Sequence, residues 1–247
     1  MTPKQILRGT ARWFAAGVGV AAAAYGGYVG ITWYRYGDAA PPRPEERDPL
    51  LDRFMPAYEV VERHHVRLAA SAAVTLATAR EIDLQGSRLV RTIIKAREVI
   101  LGATPDTRTR PSGLLAEVQA LGWGVLADVP DHEVVVGAIT RPWEANVTFR
   151  ALPPDQFAAF NEPGYVKIVW TLRTEAISAT ESLFRTETRA IATDATARVR
   201  FRRYWSFLSP GIILIRWGVL GPLKDEAERR ARERAQATNT TALRQRR

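Results

Sequence analysis

The stretch that decides the fold is 165-YVKIVWTLRTEAISATESLFRTETRAIATD-194. It holds two runs, Tyr165 to Ala176 and Glu181 to Thr193, rich in Val, Ile, Thr, Trp and Phe. β-Branched and aromatic residues in alternation favour half-buried strands. A period of two places Phe184, Thr186 and Thr188 on one face and Glu187 and Arg189 on the other. Asp194 then stands as a helix N-cap, ahead of a helical run through Arg198, Phe201, Tyr204, Trp205 and Leu208. Two long strands thus feed directly into a C-terminal helix.

Working back, Trp123 to Val129 and His132 to Thr140 read as a hairpin turned at Pro130-Asp131. Asn146 to Leu152 reads as a further strand stopped by Pro153-Pro154, with a short helix over Asp155 to Phe160. Tyr58 to Ala69 alternates over its length. Tyr58, Val60, Glu62, His64, Val66 and Leu68 share one face, and Glu59, Arg63, His65 and Arg67 the other. Ser71 caps a helix through Arg80, Ser87 to Leu101 has helical apolar spacing, Thr104 to Ser112 is a polar loop, and Leu114 to Leu121 is a short helix. Beyond Leu208, Ser209-Pro210-Gly211 is expected to break or kink the last helix. Ile212 to Leu223 is apolar but too short to span a bilayer, Lys224 to Arg234 is a charged helical end, and the last dozen residues look disordered. Strands segregated from helices define an α+β domain, and a curved antiparallel sheet around the C-terminal helix buries both apolar faces.

Ahead of this domain, Trp13 to Tyr34 carries no charge and is flanked by Lys4, Arg8 and Arg12 on one side and Arg35 and Asp38 on the other. Such a run reaches across a hydrocarbon core of ~30 Å. Aromatic rings stand at both ends, where headgroups lie. A membrane anchor is expected. A cleaved signal peptide, with Ala22 and Ala24 at its cleavage site, and a buried core helix are the competing readings. The basic N-terminal flank favours a cytoplasmic N-terminus, with the globular domain on the far side. Ala22, Gly26 and Gly30 form a small-residue stripe through which two such helices pack closely in membranes, although the oligomeric state is not decided by it. The expected organisation is a basic flank at 1–12, the anchor at 13–34, a stiff Pro-rich spacer at 35–53, the domain at 54–223, and a charged helical end and tail at 224–247.

The 247 residues include no Cys, which excludes disulfides, thiolate metal sites and Cys nucleophiles. The net charge of +9 is concentrated at the start and in the C-terminal third, which suits anionic headgroups better than nucleic acid. The three His residues do not converge by spacing, so no metal or other cofactor is expected. No Gly-x-Ser-x-Gly elbow and no Gly-rich phosphate loop occurs, which weakens hydrolase and nucleotide-binding readings.

Four stretches, Tyr58 to His64, Phe160 to Tyr165, Thr186 to Arg189, and Arg202 to Trp205, stand within this element order. With them, the span from roughly Phe54 to Leu223 resembles the START-like (SRPBCC) helix-grip superfamily of lipid-transfer domains and polyketide cyclases. The resemblance implies a cavity between sheet and C-terminal helix that holds an apolar ligand. The N-terminal anchor and the Pro210-Gly211 pair depart from the pattern.

The candidate ligand-binding residues are Glu62, His64, Trp123, Trp143, Trp170, Thr186, Thr188 and Trp205. Glu62 and His64 are either a general acid/base pair tuned by burial or a satisfied structural pair. The tryptophans either line a pocket or simply fill the core. Arg198, Arg200, Arg202 and Arg203 form a basic helix face for membrane or partner, or a solvated one. The leading expectation is a membrane-anchored domain that binds a hydrophobic small molecule or lipid without transforming it. The alternatives are a cyclase- or dehydratase-type enzyme using Glu62 and His64, and an interaction module with a filled core.

Overall fold

The computed structural model describes the backbone of residues 3–83, 86–104 and 111–245, and the side chains of 16–83, 86–104, 111–237 and 240. In chain order the elements are α1 (Pro3–Arg35), a 3-10 turn (Pro44–Glu46), α2 (Pro49–Asp52), β1 (Val60–Leu68), α3 (Ala72–Glu81), α4 (Arg88–Leu101) and α5 (Leu114–Ala120). There follow β2 (Gly124–Val129), β3 (Glu133–Thr140), β4 (Phe149–Arg150), α6 (Pro154–Ala159), β5 (Val166–Ala176), β6 (Ser182–Ala192) and α7 (Ala195–Gln245). Most of the loop expected over Thr104 to Ser112 lies outside the described residues.

Local chemistry places the element ends. The Ser71 and Ser87 hydroxyls accept from the N–H groups of Val74 and Val90 and cap α3 and α4. Asp48 caps α2 by accepting from Leu51. Asp194 accepts from Thr196 and Ala197 at the head of α7 and also from the Gly164 N–H. Asp131 takes a left-handed conformation in the β2–β3 turn, where a short polar side chain is tolerated.

All strand pairs are antiparallel and give one sheet of order β1-β6-β5-β3-β2, with β4 beside β3. The α+β architecture is the one expected: a curved six-stranded antiparallel sheet with a long C-terminal helix. On its front, α3 and α7 cover β5, β6 and β1. The main core gathers Leu68, Val74, Leu76, Val134, Trp170, Phe184, Leu220 and Leu223 there. A second core on the back packs Leu51, Phe54 and Met55 against Val135, Ile139, Val169 and Phe157. Gly137 is required at this layer, because a Cβ would lie 2.6 Å from Leu126 and 2.9 Å from the Phe157 ring.

Four expectations are corrected. The helix is not broken at Ser209-Pro210-Gly211; α7 runs on through both Pro210 and Pro222, held by packing against the sheet and neighbouring helices. It continues to Gln245, past the point where a disordered tail was expected. The strand expected over Asn146 to Leu152 shrinks to Phe149–Arg150, since only two residues find ladder partners on β3. Residues 37–56 do not stand free as a spacer. Gly37 donates to the Glu59 carbonyl, Arg63 to that of Ala40 and Arg173 to that of Arg47, while Leu51 is fully buried.

Helix α1 is continuous over the expected anchor, and its described apolar side chains are open: Val20 is 71% and Tyr34 85% exposed. It pairs with the first part of α7. Tyr25 donates to the Phe207 carbonyl, the Tyr28 and Ser209 hydroxyls meet at 2.9 Å, and Arg202 donates to the Trp33 carbonyl while lying over its ring. Among the described residues, the helix long and apolar enough to cross a membrane is α7 over Ala195–Ala237. Ile212 to Leu223 alone is too short, but the unbroken helix extends the apolar stretch. Its other part is a core helix, with Leu220, Leu223 and Ala227 buried against the sheet and α3.

Candidate functional site

The period of two along β1 and β6 brings Glu62, His64, Thr186 and Thr188 to the front face. Register pairs Glu62 with Thr188 and His64 with Thr186 directly across the strands. Thr188 is in turn opposite Trp170 on β5, and Trp170 opposite Val136 on β3. Trp123 packs edge-on to Trp170 at 6.2 Å and also against Phe149. Six of the eight candidate ligand-binding residues therefore form one band across the front of the sheet.

Helix α7 covers the polar end of this band. Trp217 sets its ring edge-on to His64 at 5.4 Å, although Trp217 itself is largely exposed. Arg216, its neighbour, interacts electrostatically with both Glu62 and His64. Sequence reasoning missed Arg216. The apolar run Ile212 to Leu223 hid its single charge, and an isolated arginine in such a run was the available signal.

The polar groups in this band are poorly satisfied. His64 and Thr188 are each 7% exposed. His64 Nε2, Thr188 Oγ1 and Arg216 Nε are buried and make no hydrogen bond within the structure. His64 Nε2 is 3.7 Å from Glu62 Oε2, too long for a hydrogen bond. Burial pushes the Glu62 carboxyl above its ordinary range, opposed by Arg216. Burial, reinforced by Arg216 and His65, lowers His64 to about 4, so the imidazole is neutral at pH 7. A neutral imidazole beside a carboxylate can take up or relay a proton, and the group can equally hold a polar ligand end.

Phe201 packs with Val60, and Trp217 with His64. Further on, Glu228 accepts from the Ala69 N–H. Between Phe201 and Trp217, helix α4 lies against α7, with Ile93 at Gly211 and, just beyond, Leu89 at Gly218. Its Arg97 reaches the carbonyls of Pro142 and Glu144 beyond β3.

The remaining candidates lie elsewhere. Trp143 and Trp205 join Val60, Val166, Ala190, Phe201 and Tyr204 in a separate cluster beside the end of α1. The four arginines do not form one face. Arg198 pairs with Glu59 at 3.0 Å and Arg202 is held on Trp33, whereas Arg200 and Arg203 are exposed. His65 points to the back, where a water-sized space of about 20 Å³ lies among Arg63, Arg173, Arg185 and Glu187. A broad surface hollow of about 510 Å³ between α3, α5 and α7 is lined by Arg80, Glu81, Gln119 and Arg230 and lies apart from the band. No cluster of three or more His, Asp or Glu residues suited to a metal occurs among the described residues.

No protein-family model and no curated protein matches this chain. Among solved structures it is similar to a hypothetical protein from Helicobacter pylori, at 8% identity and TM-score 0.36, covering 73% of this chain and 95% of the other. The Zhui aromatase/cyclase from Streptomyces sp. R1128 matches at 13% identity and TM-score 0.23, over 69% of this chain and 94% of that one. A Rhizobium loti protein matches at 15% and 0.25, over 63% and 96%.

Proposed function

We propose that this chain is a membrane-anchored, START-like helix-grip domain that binds a hydrophobic small molecule or lipid between the front of the sheet and α7, without transforming it. The observation that carries the reading is the set of unpartnered, buried polar atoms at one end of a band of tryptophan. A filled core pairs its polar atoms, because each orphan costs ~1–3 kcal/mol. A ligand with a polar end repays that cost when it binds. The exposed apolar side chains of α1 support the anchor, and Arg200 and Arg203 are free to meet anionic headgroups or an acidic partner. The basic flank supports a cytoplasmic N-terminus, with the domain beyond the membrane.

The second reading is an enzyme of the cyclase or dehydratase type, favoured by the oppositely shifted Glu62 and His64. The full chain purified in nanodiscs should release a bound apolar molecule on organic extraction, identified by mass spectrometry. Absence of any such molecule, together with no thermal shift on adding lipids, would favour the interaction module instead. If the double variant Glu62→Gln/His64→Gln lost the conversion of a released ligand while still taking it up, the enzyme reading would replace the binding one.

A further inference from the structure

One long apolar row on α7 is uncovered. Val199, Phe207, Leu214 and Trp217 are all exposed, Phe207 at 47% and Leu214 at 51%. At about 100° per residue these four side chains fall within about 80° of one another, and Arg203 falls among them. Arg202 and Ser209, which meet α1, lie on one side of the row. Gly211 and Gly218, which meet α4, lie on the other. Phe201, which packs with Val60 of the sheet, is on the far side of the helix. The row is therefore an open strip between α1 and α4, facing away from the sheet.

Helix α1 sets the level of this strip. The Tyr25 hydroxyl donates to the Phe207 carbonyl at 2.5 Å, and the Tyr28 and Ser209 hydroxyls meet at 2.9 Å. Tyr28 and Tyr25 stand about 9 and 14 Å along α1 from Tyr34, at the aromatic end of the charge-free run. With that run in hydrocarbon, α7 touches α1 about 10 Å inside the headgroup level. An interfacial helix buries its apolar face to a similar depth. Helix α7 does not cross the bilayer itself, because Leu220, Leu223 and Ala227 belong to the main core and residues 224–234 are charged. It has to lie along the surface.

Charge separates the possible occupants. Arg200 and Arg203 border the row, and the adjoining α4 exposes Arg88 and Lys95 together with Val99. Helix α7 has no acidic residue between 195 and 224. A second copy docked two-fold on the same row would set these cations against one another. Anionic headgroups attract them.

Building on the anchor reading above, we infer that the row of α7 between Val199 and Trp217 is an in-plane lipid contact, lying in the leaflet beside α1. Its apolar side chains reach the acyl region, and Arg200, Arg203, Arg88 and Lys95 stand at the phosphates. Trp217 belongs to the row and also sets its ring against His64, so the helix that covers the polar end of the tryptophan band is the one that touches lipid.

The test is spin-label depth measurement on the full chain in nanodiscs of equal parts phosphatidylcholine and phosphatidylglycerol. The chain has no cysteine, so each single-cysteine variant carries one label. Ala24→Cys reports on the middle of α1, Phe207→Cys and Leu214→Cys on the row, and Ile177→Cys on the exposed β5–β6 loop. Collision with oxygen and with a water-soluble nickel chelate gives the depth. The labels at 207 and 214 should lie about 5–10 Å below the phosphates, with that at 24 deeper and that at 177 in water. Val199→Cys replaces either row variant whose thermal midpoint falls well below that of the parent. Row labels as open to nickel as the label at 177, with position 24 still in lipid, overturn the inference and leave the anchor standing. Row labels closed to both reagents mean that protein, a second copy included, covers the strip, and overturn it too. Nickel reaching position 24 overturns the anchor reading on which the inference rests.

Discussion

Arg189 is sealed on the back of the sheet by Asp52, to which its guanidinium donates at 2.5 Å while also donating to Glu187 and to the Met55 carbonyl. The Arg189 side chain is 1% exposed. One buried cation thereby fastens the chain segment that follows α1 onto β6. Tyr58 stacks on it, and Arg63 shares Glu187 from β1.

Arg189→Met should cost about 3–5 kcal/mol of stability, because it leaves the buried Glu187 to Arg63 alone and takes the donor from Asp52 and from the Met55 carbonyl at once. Chemical denaturation checks this. Glu187→Gln combined with Arg189→Met should cost less than the sum of the single variants, and strict additivity would mean the two side chains do not act as a unit.

The pH dependence of stability has two opposed limbs. Burial, with Asp48 as hydrogen-bond partner, raises Glu133 to about 8 from an ordinary 4.5. Its contribution is complete below pH 4.5 and is lost as pH rises through about 8. His64, lowered to about 4 from 6.5, contributes fully above pH 6.5 and loses that contribution as pH falls towards 4. Thermal melts should show Glu133→Gln matching the parent near pH 5 and exceeding it at pH 9. His64→Gln should lose less stability than the parent between pH 6.5 and 4.5.

Gly137→Ala should destabilise by about 1–3 kcal/mol through overpacking of Phe157 and Leu126. A second change, Phe157→Leu, should recover part of the loss by making room. A Gly137→Ala protein as stable as the parent would mean that the ring moves aside freely.

The pairing of α1 with α7 rests on few polar contacts. Tyr28→Phe removes the partner of the Ser209 hydroxyl and should cost about 1 kcal/mol. Arg202→Gln should loosen α1 further by releasing Trp33. Hydrogen exchange on the nanodisc-embedded chain should show faster exchange at residues 36–40 in the double variant, with β5 unchanged.

Much of this architecture was legible where periodicity was strong. The alternation in Val60 to Leu68 and in Phe184 to Arg189 assigned faces correctly, whereas Tyr58 and Glu59, ahead of the strand, fell on the opposite sides from those expected: Tyr58 packs on Arg189 at the back and Glu59 pairs with Arg198 of α7. Ser71, Ser87 and Asp194 marked helix starts because hydroxyl and carboxylate caps leave a local signature. Pro210 misled because the rule against proline in helices is local, and packing of α7 on sheet and helices outweighs one missing hydrogen bond. Asp52 and Arg189 were unreadable as partners, because an ion pair across 137 residues of sequence has no periodicity. Arg216 was hidden for a similar reason: its meaning depends on which strand α7 crosses at that level. Trp143 and Trp205 belong together, apart from the other tryptophans, and only the strand order separates the two groups.

The docked segment 37–56 also has a mechanical consequence. With the Gly37 N–H donating to the Glu59 carbonyl and the Tyr36 hydroxyl to the Glu59 carboxylate, no slack separates the last turn of α1 from the first strand. Whatever holds α1 therefore fixes the sheet at one height and one tilt, and the domain cannot sweep a volume as a ball on a string would. Were α1 held in a bilayer, encounters of the domain would become two-dimensional, and any exchange it carried out would follow surface density rather than bulk concentration.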